Sequence, residues 1–397
     1  MIRITTANAF AASVANLQSR QVAMANAQDQ LTSGKRVMVA SDDPTAAARA
    51  ERARALMQRA DATQRASDAS KNSMTLSEAA LGDATSLVQQ ARELVVAAGN
   101  ASYTDAERLD VANQLTEVRK QLMSVANRSD GAGGFVFAGQ GASQPPFLDR
   151  PGGVAYTGTG GAVQVASDEP LPLTVDGNQV WLSAPSGNGV FVTSSGSQGA
   201  WIDAGHVTQP SAITGSSYQV QFAVSGGVTS YSIVKDGLTT VQSAQPYTSG
   251  QAIVVDGMAA NISGIPAAGD TFDLKPSQHN LSVFNAIDQV ISDLKTPSRS
   301  PSQVTQTVQS GLRDLDGASS QLQSARSMAG EVLNRIDGVQ SRVADLKLFG
   351  ETTRSNAEDL DMVQAISDFK NQETGYQAAV QTYASMQKMS LFQYISG

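Results

Sequence analysis

Apolar residues recur with a helical period at both ends of this chain and with a strand period in its middle. Residues 1 to about 130 and about 278 to 397 have helical texture, and residues about 145 to 276 are rich in Gly, Ser, Thr and Val. Near the N-terminus Phe10, Leu17, Met24 and Leu31 recur every seven residues. Val14 starts a companion row that continues at the polar Gln21 and Gln28. Near the C-terminus Met362, Phe369, Tyr376 and Tyr383 form one such row, and Ile366, Glu373, Val380, Gln387 and Tyr394 form the other. One apolar row beside a half-polar row predicts a coiled-coil seam of modest strength at each end. The polar members either mark a worn edge or control register.

Start and stop signals bound the helices between these ends. The first segment breaks at Ser33-Gly34, and Ser41-Asp42-Asp43-Pro44 supplies a carboxylate cap and a proline at the first helical position. The helix it opens runs to about Ala98, with Gly82 a possible break and Gly99-Asn100 a stop. Thr104 and Glu107 make a capping box for a helix with the stripe Leu115, Val118, Leu122 and Val125. Leu281 to Lys295 reads as a short amphipathic helix. Ser300, Pro301 and Gln303 then start a long one whose stripe runs from Val304 and Val308 to Phe349, with polar Gly350 to Asn356 as a joint.

The period changes to two in the middle. Tyr218, Val220, Phe222 and Val224 alternate with polar residues before Gly226-Gly227, as do Tyr231 and Ile233 before Asp236-Gly237. Asp176-Gly177 and Asp256-Gly257 also follow short Val- or Ile-rich runs. Asp-Gly between such runs predicts hairpins, because both turn positions must accept positive φ.

The fold expected is mainly α with a β-rich insertion, a long-helix bundle built from both termini with an outer antiparallel β domain. Its parts are a terminal coiled-coil domain (1–40 with 357–397), a helical bundle (41–145 with 277–356) and the β domain (146–276).

Composition narrows the function. The 397 residues carry a formal net charge of −8, their Lys and Arg are scattered, and aromatic content is 5%. A nucleic-acid partner is therefore not expected. No cysteine is present, which removes disulfides, thiolate metal sites and Cys nucleophiles. The first residues lack the pattern of a secretory signal peptide, and no apolar run is long enough for a membrane span, so membrane insertion is not expected either. The two histidines, His206 and His279, have no spacing that suggests a base or ligand. Asp42-Asp43 is explained by helix capping. Gly131 to Gly141 lacks the Lys-Ser/Thr of a phosphate loop. No enzyme, cofactor or metal is expected.

Four segments in order carry a resemblance. LTSGKRVMVASDDPTAAARA (31–50) is similar to the N-terminal signature of the flagellin family, and residues 357–397, with their Tyr-Gln-Ala core, are similar to its C-terminal segment. GGFVFAGQ (133–140) with Pro146-Phe147, and GIPAAGDTFDLKPS (264–277), resemble hook-associated members of that family. The bulky Leu391-Phe392-Gln393-Tyr394 departs from the aliphatic end of filament flagellins.

The resemblance implies a structural subunit exported unfolded with the help of an export chaperone. It implies assembly outside the cell in a ring at the hook–filament junction, against a neighbouring hook-associated protein and flagellin. It further implies that Phe10, Val14, Leu17, Met24 and Leu31 pair with Met362, Ile366, Phe369, Tyr376, Val380 and Tyr383 and serve assembly. On periodicity alone the same rows would also suit an internal hairpin closing a monomer. A filament flagellin and a secreted adhesin, with Trp181 and Trp201 stacking on sugar, are the other readings.

Overall fold

The long helices arise where small and apolar residues repeat without a breaker. In the computed structural model, which describes residues 6–142, 144–165 and 169–395, the helices are α1 (Thr6–Ser33), α2 (Pro44–Ala98), α3 (Asp105–Ala126), the short α4 (Gly177–Trp181), α5 (Val283–Lys295), α6 (Pro301–Glu358) and α7 (Met362–Ile395). The chain is mainly α, with antiparallel sheets inserted between α3 and α5. Contacts divide it into two compact units, residues 1–65 with 339–397 and residues 66–338. No helix among the described residues is long and apolar enough to cross a membrane.

The helix starts follow the capping chemistry. Asp43 Oδ1 accepts from the Thr45 and Ala46 amides at 3.1 and 3.0 Å, just before Pro44 opens α2. The Thr104–Glu107 box is formed on both sides. Ser300 Oγ accepts from Gln303 N at 3.2 Å while Gln303 Oε1 accepts from Ser300 N at 3.0 Å. Gly82 does not interrupt α2. Gly350 to Asn356 is not a joint, because α6 runs on to Glu358. Its polar residues are divided between exposed Glu351, Thr352 and Asn356 and half-buried Thr353, Arg354 and Ser355, and Gly350 lets Met57 of α2 lie close, since a Cβ there would fall 2.7 Å from Met57 Cγ.

In the second unit one core joins helices to part of the insertion. Leu81, Val88 and Val95 of α2, Leu115 and Leu122 of α3, Phe284 and Ile287 of α5 and Leu315 and Leu322 of α6 are buried together with Phe137, Phe147, Val180 and Trp181. The Trp181 ring stacks on Phe284 at 5.8 Å and meets Phe137 edge-on at 5.4 Å. Trp181 is thus core, which removes it from the sugar-stacking reading; Trp201 is half-buried in the strand Ala200–Ile202. The hairpin expected at Asp176-Gly177 is instead the start of α4. Asp176 Oδ1 accepts from Asn178 N at 3.0 Å and its Oδ2 accepts from Gly161 N at 2.8 Å, so the carboxylate caps a helix turn.

A second apolar cluster lies wholly between Phe191 and Leu274. It is covered by a five-stranded antiparallel sheet in the order Thr239–Pro246, Val228–Lys235, Tyr218–Ser225, Thr271–Pro276, Phe191–Ser195, and by a four-stranded sheet centred on Met258–Gly264. Tyr218, Val220 and Phe222 point inward as their alternation requires. Asp236-Gly237 and Asp256-Gly257 turn two hairpins, with φ of 51° and 69° in the first and 41° and 79° in the second. That is the left-handed pair a tight turn needs; the second loop is just these two residues, and in the first Leu238 adds a third.

Candidate assembly surface on the terminal helices

The first unit is where the two repeating ends meet. Both α1 and α7 are rich in Ala, Gln and Ser, so each offers a thin apolar row. They pack as an antiparallel pair. Phe10 meets Tyr383 with ring centroids 5.4 Å apart, and at the other end Lys35 bridges to Asp359 in antiparallel fashion.

The pair is only partly closed. Among the described side chains of α1 and α7, none is buried. Val14, Leu17, Met24 and Leu31 of α1 and Phe369, Tyr376 and Tyr383 of α7 are half-buried, whereas Phe10 and Met362 are each 45% exposed. The companion row of α7 differs from the sequence expectation. The half-buried positions beside Phe369, Tyr376 and Tyr383 include Ala365, Gln372 and Ala379, three residues on from Met362, Phe369 and Tyr376, and of the expected row Glu373 is half-buried as well. Ile366 and Val380, expected in the seam, stand on its flank with 51% and 39% exposure. Small side chains let two helices approach, so alanine wins the inner row and the β-branched residues are turned outward. Ser13 and Ala27 are likewise half-buried on α1, while Gln21 and Gln28 are exposed. Glu373 pairs with Lys370 at 2.9 Å, and Gln387 Nε2 donates to the Tyr383 hydroxyl at 3.3 Å. The side chain of Tyr394 lies outside the described residues.

The joint below the pair is polar and tightly bonded. Arg36 N donates to Glu358 O at 2.7 Å, Leu360 N to Gly34 O at 3.0 Å, and the Arg36 guanidinium to Ala357 O at 2.8 Å. The Glu358 side chain is 7% exposed and faces three cations: Arg54, which donates to it directly, Arg354 at 3.5 Å and Lys35 at 3.7 Å. Hydrogen bonding to Glu358 raises the Arg54 pKa above its ordinary value. Val37, Ala46, Ala50 and Ala357 make a small apolar cluster beside it. Asp361 Oδ1 then caps α7, accepting from Val363 N and Gln364 N at 3.0 and 3.1 Å. Sequence reasoning missed Glu358, because a lone carboxylate at a helix end reads as solvated.

Asp43 gives the joint a pH dependence. Bonds from the Ala46 amide, then Thr45 and Arg36, hold its carboxyl down at about 2. A lowered folded-state pKa stabilises the fold above the unfolded value of about 3.9, and the contribution fades as pH falls toward 2. The difference in urea midpoint between the parent and Asp43→Asn is therefore expected to be full at pH 7, to shrink as pH falls below the unfolded value and to vanish only below about pH 2. An unchanged difference at low pH would contradict this.

Comparison with known proteins follows the same division of the chain. The bacterial flagellin N-terminal helical region matches residues 4–142, and the bacterial flagellin C-terminal helical region matches residues 312–395. Together they span more than half of the chain. Flagellar hook-associated protein 3 of Escherichia coli strain K12 is 24% identical over 396 residues, covering 99% of each chain. The crystal structure of flagellar hook-associated protein 3 from Legionella pneumophila shares the fold, with 24% identity, a TM-score of 0.72 and coverage of 77% of this chain and 98% of that one. FlgL of Xanthomonas campestris is 29% identical with a TM-score of 0.69, covering 77% of this chain and 99% of that one.

Proposed function

The chain belongs to the flagellin family, and we propose from that premise that it joins hook to filament in the bacterial flagellum as a structural subunit. In this reading it leaves the cell unfolded through the flagellar secretion system, escorted by an export chaperone. Outside, it self-associates in a ring between a neighbouring hook-associated protein and flagellin. The names of the relatives, flagellar hook-associated protein 3 and, in Legionella pneumophila, the flagellar junction protein, support that position.

The observation that carries the assembly role is the incomplete burial of the terminal pair. Two helices of 28 and 34 residues pack with no buried side chain among those described, and Ile366 and Val380 face outward. Burial contributes about 25 cal/mol per Å², so so thin a seam gains little by itself, and covering it with neighbouring copies gains more. Phe10, Val14, Leu17, Met24, Leu31, Met362, Phe369, Tyr376 and Tyr383 are the remaining residues proposed to serve that packing.

The test uses the two flank residues, which the free chain already exposes. Ile366→Asp with Val380→Asp is expected to leave the melting temperature of the purified monomer unchanged within a few degrees, since exposed substitutions change stability by about 0.5 kcal/mol or less. In cells the same variant is expected to be exported and yet to release flagellin into the medium. Normal swimming with attached filaments would refute the assembly role.

A further inference from the structure

Polar side chains, and no shared apolar core, hold the β segment against α6. The cluster between Phe191 and Leu274 draws no residue from an α-helix among the described residues, while Leu315 and Leu322 of α6 pack into the helical core. What α6 turns toward the strands is Ser302, Gln306 and Arg313, spaced by four and seven residues and so on one face of the helix. Ser302 Oγ donates to Gly199 O at 3.0 Å, and Gln306 Oε1 accepts from Ile202 N at 2.9 Å. Arg313 Nη1 donates to Thr193 O and Oγ1 at 2.8 and 3.2 Å. At the head of the helix Ser300 Oγ donates to Gln198 O.

The lengths of the two facing stretches agree. From Ser302 to Arg313 the helix rises about 17 Å, and from Gly199 back to Thr193 an extended chain covers about 20 Å, so the strand runs antiparallel along the helix. Water can take the place of each of these bonds, because their partners are backbone groups and no apolar surface is uncovered when they part. Away from α6 the chain passes between the two clusters only twice, as a two-stranded ribbon. Ser277 N donates to Val190 O and Ser186 N to Gln278 O, both at 2.9 Å. Between these bonds one strand bulges through Gly187 and Gly189, at φ of 68° and 87°, while the other runs straight past. A polar contact beside a bulged ribbon is the arrangement in which one folded body moves against another.

We propose that the stripe Ser302–Gln306–Arg313 is a releasable latch. When it opens, the β segment swings away from α6 as a folded body on the ribbon at 186–190 and 276–278, with both apolar clusters intact. Arg313 is the main catch, since its side chain is 10% exposed and a hydrogen bond from a charged donor is stronger than one between neutral groups. The latch opens as a unit, because a strand lying along the helix leaves all of its bonds together. The β segment thereby changes its angle while the helical core keeps its packing. The inference rests on packing within one chain and stands apart from the junction role.

Hydrogen exchange in the full-length protein, read residue by residue, tests this. The Ile202 amide reports the latch, the Phe222 amide, which donates to Asp270 O at 3.0 Å, reports the β cluster, and Leu122 of α3 reports the helical core. Ile202 is expected to exchange ahead of the other two, at a rate that low urea leaves unchanged, because the opening exposes little apolar surface. Arg313→Ala lies seven residues, about 10 Å, from Gln306 and does not touch the Ile202 bond. It is expected to speed Ile202 about ten-fold and to leave Phe222 and Leu122 within two-fold of the parent. Since the chain has no cysteine, spin labels on Leu238→Cys and Met328→Cys, both exposed, follow the movement itself. Adding Arg313→Ala with Gln306→Ala is expected to bring in a second distance between the labels. Ile202 exchanging no faster than Phe222, an Ile202 rate within two-fold of the parent in Arg313→Ala, Phe222 speeding as much as Ile202, or a single unchanged distance would each overturn the proposal.

Discussion

Replacing residues 187–276 with a short Gly-Ser linker is expected to leave a helical core that unfolds in one cooperative transition, and replacing residues 150–274 is expected to destroy that transition. The composition change at Phe147 suggests the wider cut, whereas the grouping of buried side chains favours the narrower one. Phe147, Val180 and Trp181 belong to the core formed by α2, α3, α5 and α6, whereas the cluster between Phe191 and Leu274 stands by itself. Removing Trp181 alone costs about 3–5 kcal/mol, against about 5–15 kcal/mol for a whole domain. The wider cut removes Val180 as well, together with the partly buried Val154, Tyr156 and Val175 packed on the same core. The narrower cut sacrifices mainly polar links to α6, such as the Arg313 guanidinium donating to Thr193 O at 2.8 Å and Gln306 Oε1 accepting from Ile202 N at 2.9 Å. Its two ends are already adjacent, with Ser277 Oγ donating to Ser186 O at 2.6 Å and Ser186 N to Gln278 O at 2.9 Å. Thermal unfolding followed by circular dichroism compares the two proteins directly. Equal melting of both would mean that Trp181 and its neighbours are dispensable to the helices.

The second large effect is expected at the joint. Glu358→Ala leaves Arg54, Arg354 and Lys35 facing an apolar gap, and removing one partner from a buried ion pair costs about 3–5 kcal/mol. The cations are partly exposed and can rehydrate, so about 2 kcal/mol is the better expectation. Hydrogen exchange should localise the loss. The amides of Arg36 and Leu360, which close the bridge between the two ends, are expected to lose protection in the variant, while those of the β cluster between Phe191 and Leu274 keep theirs. Unchanged protection at Arg36 would show that the backbone bridge holds without the carboxylate.

The caps and the joint also mark where sequence reasoning succeeds and where it stops. Caps are local, involving residues three or four apart, so Asp43, Thr104 with Glu107, and Ser300 with Gln303 were legible from their spacing. The β alternation from Tyr218 to Phe222 and the Asp-Gly turns at 236 and 256 were legible for the same reason. Asp176-Gly177 was misread because an Asp that caps a helix turn and an Asp in a hairpin turn look alike without their tertiary partners. In the terminal pair the seven-residue rows were visible, but which companion row faced inward was not. Ile366 looks more suited to a seam than Ala365 on hydrophobicity, and only the close approach of α1 reverses that order. Glu358 was missed because its local partner Arg354 looks like an ordinary surface pair four residues apart, while Lys35 and Arg54, which also face it, come from the other end of the chain.

The bridge between the ends also has a bearing on time. Arg36 and Ala357, joined by one hydrogen bond, are 321 residues apart in sequence. Closing a loop of that length costs about 5 kcal/mol of chain entropy before any contact is made, and each further doubling adds only about 0.6 kcal/mol. Long-range closures of this kind are slow, because the entropy is lost before the contacts are gained. During synthesis α1 is made first and its partner α7 last, so the N-terminal helix exists without its mate for nearly the whole of translation. Lengthening the β segment would hardly change the equilibrium of closure, yet it would extend that unpaired interval residue by residue.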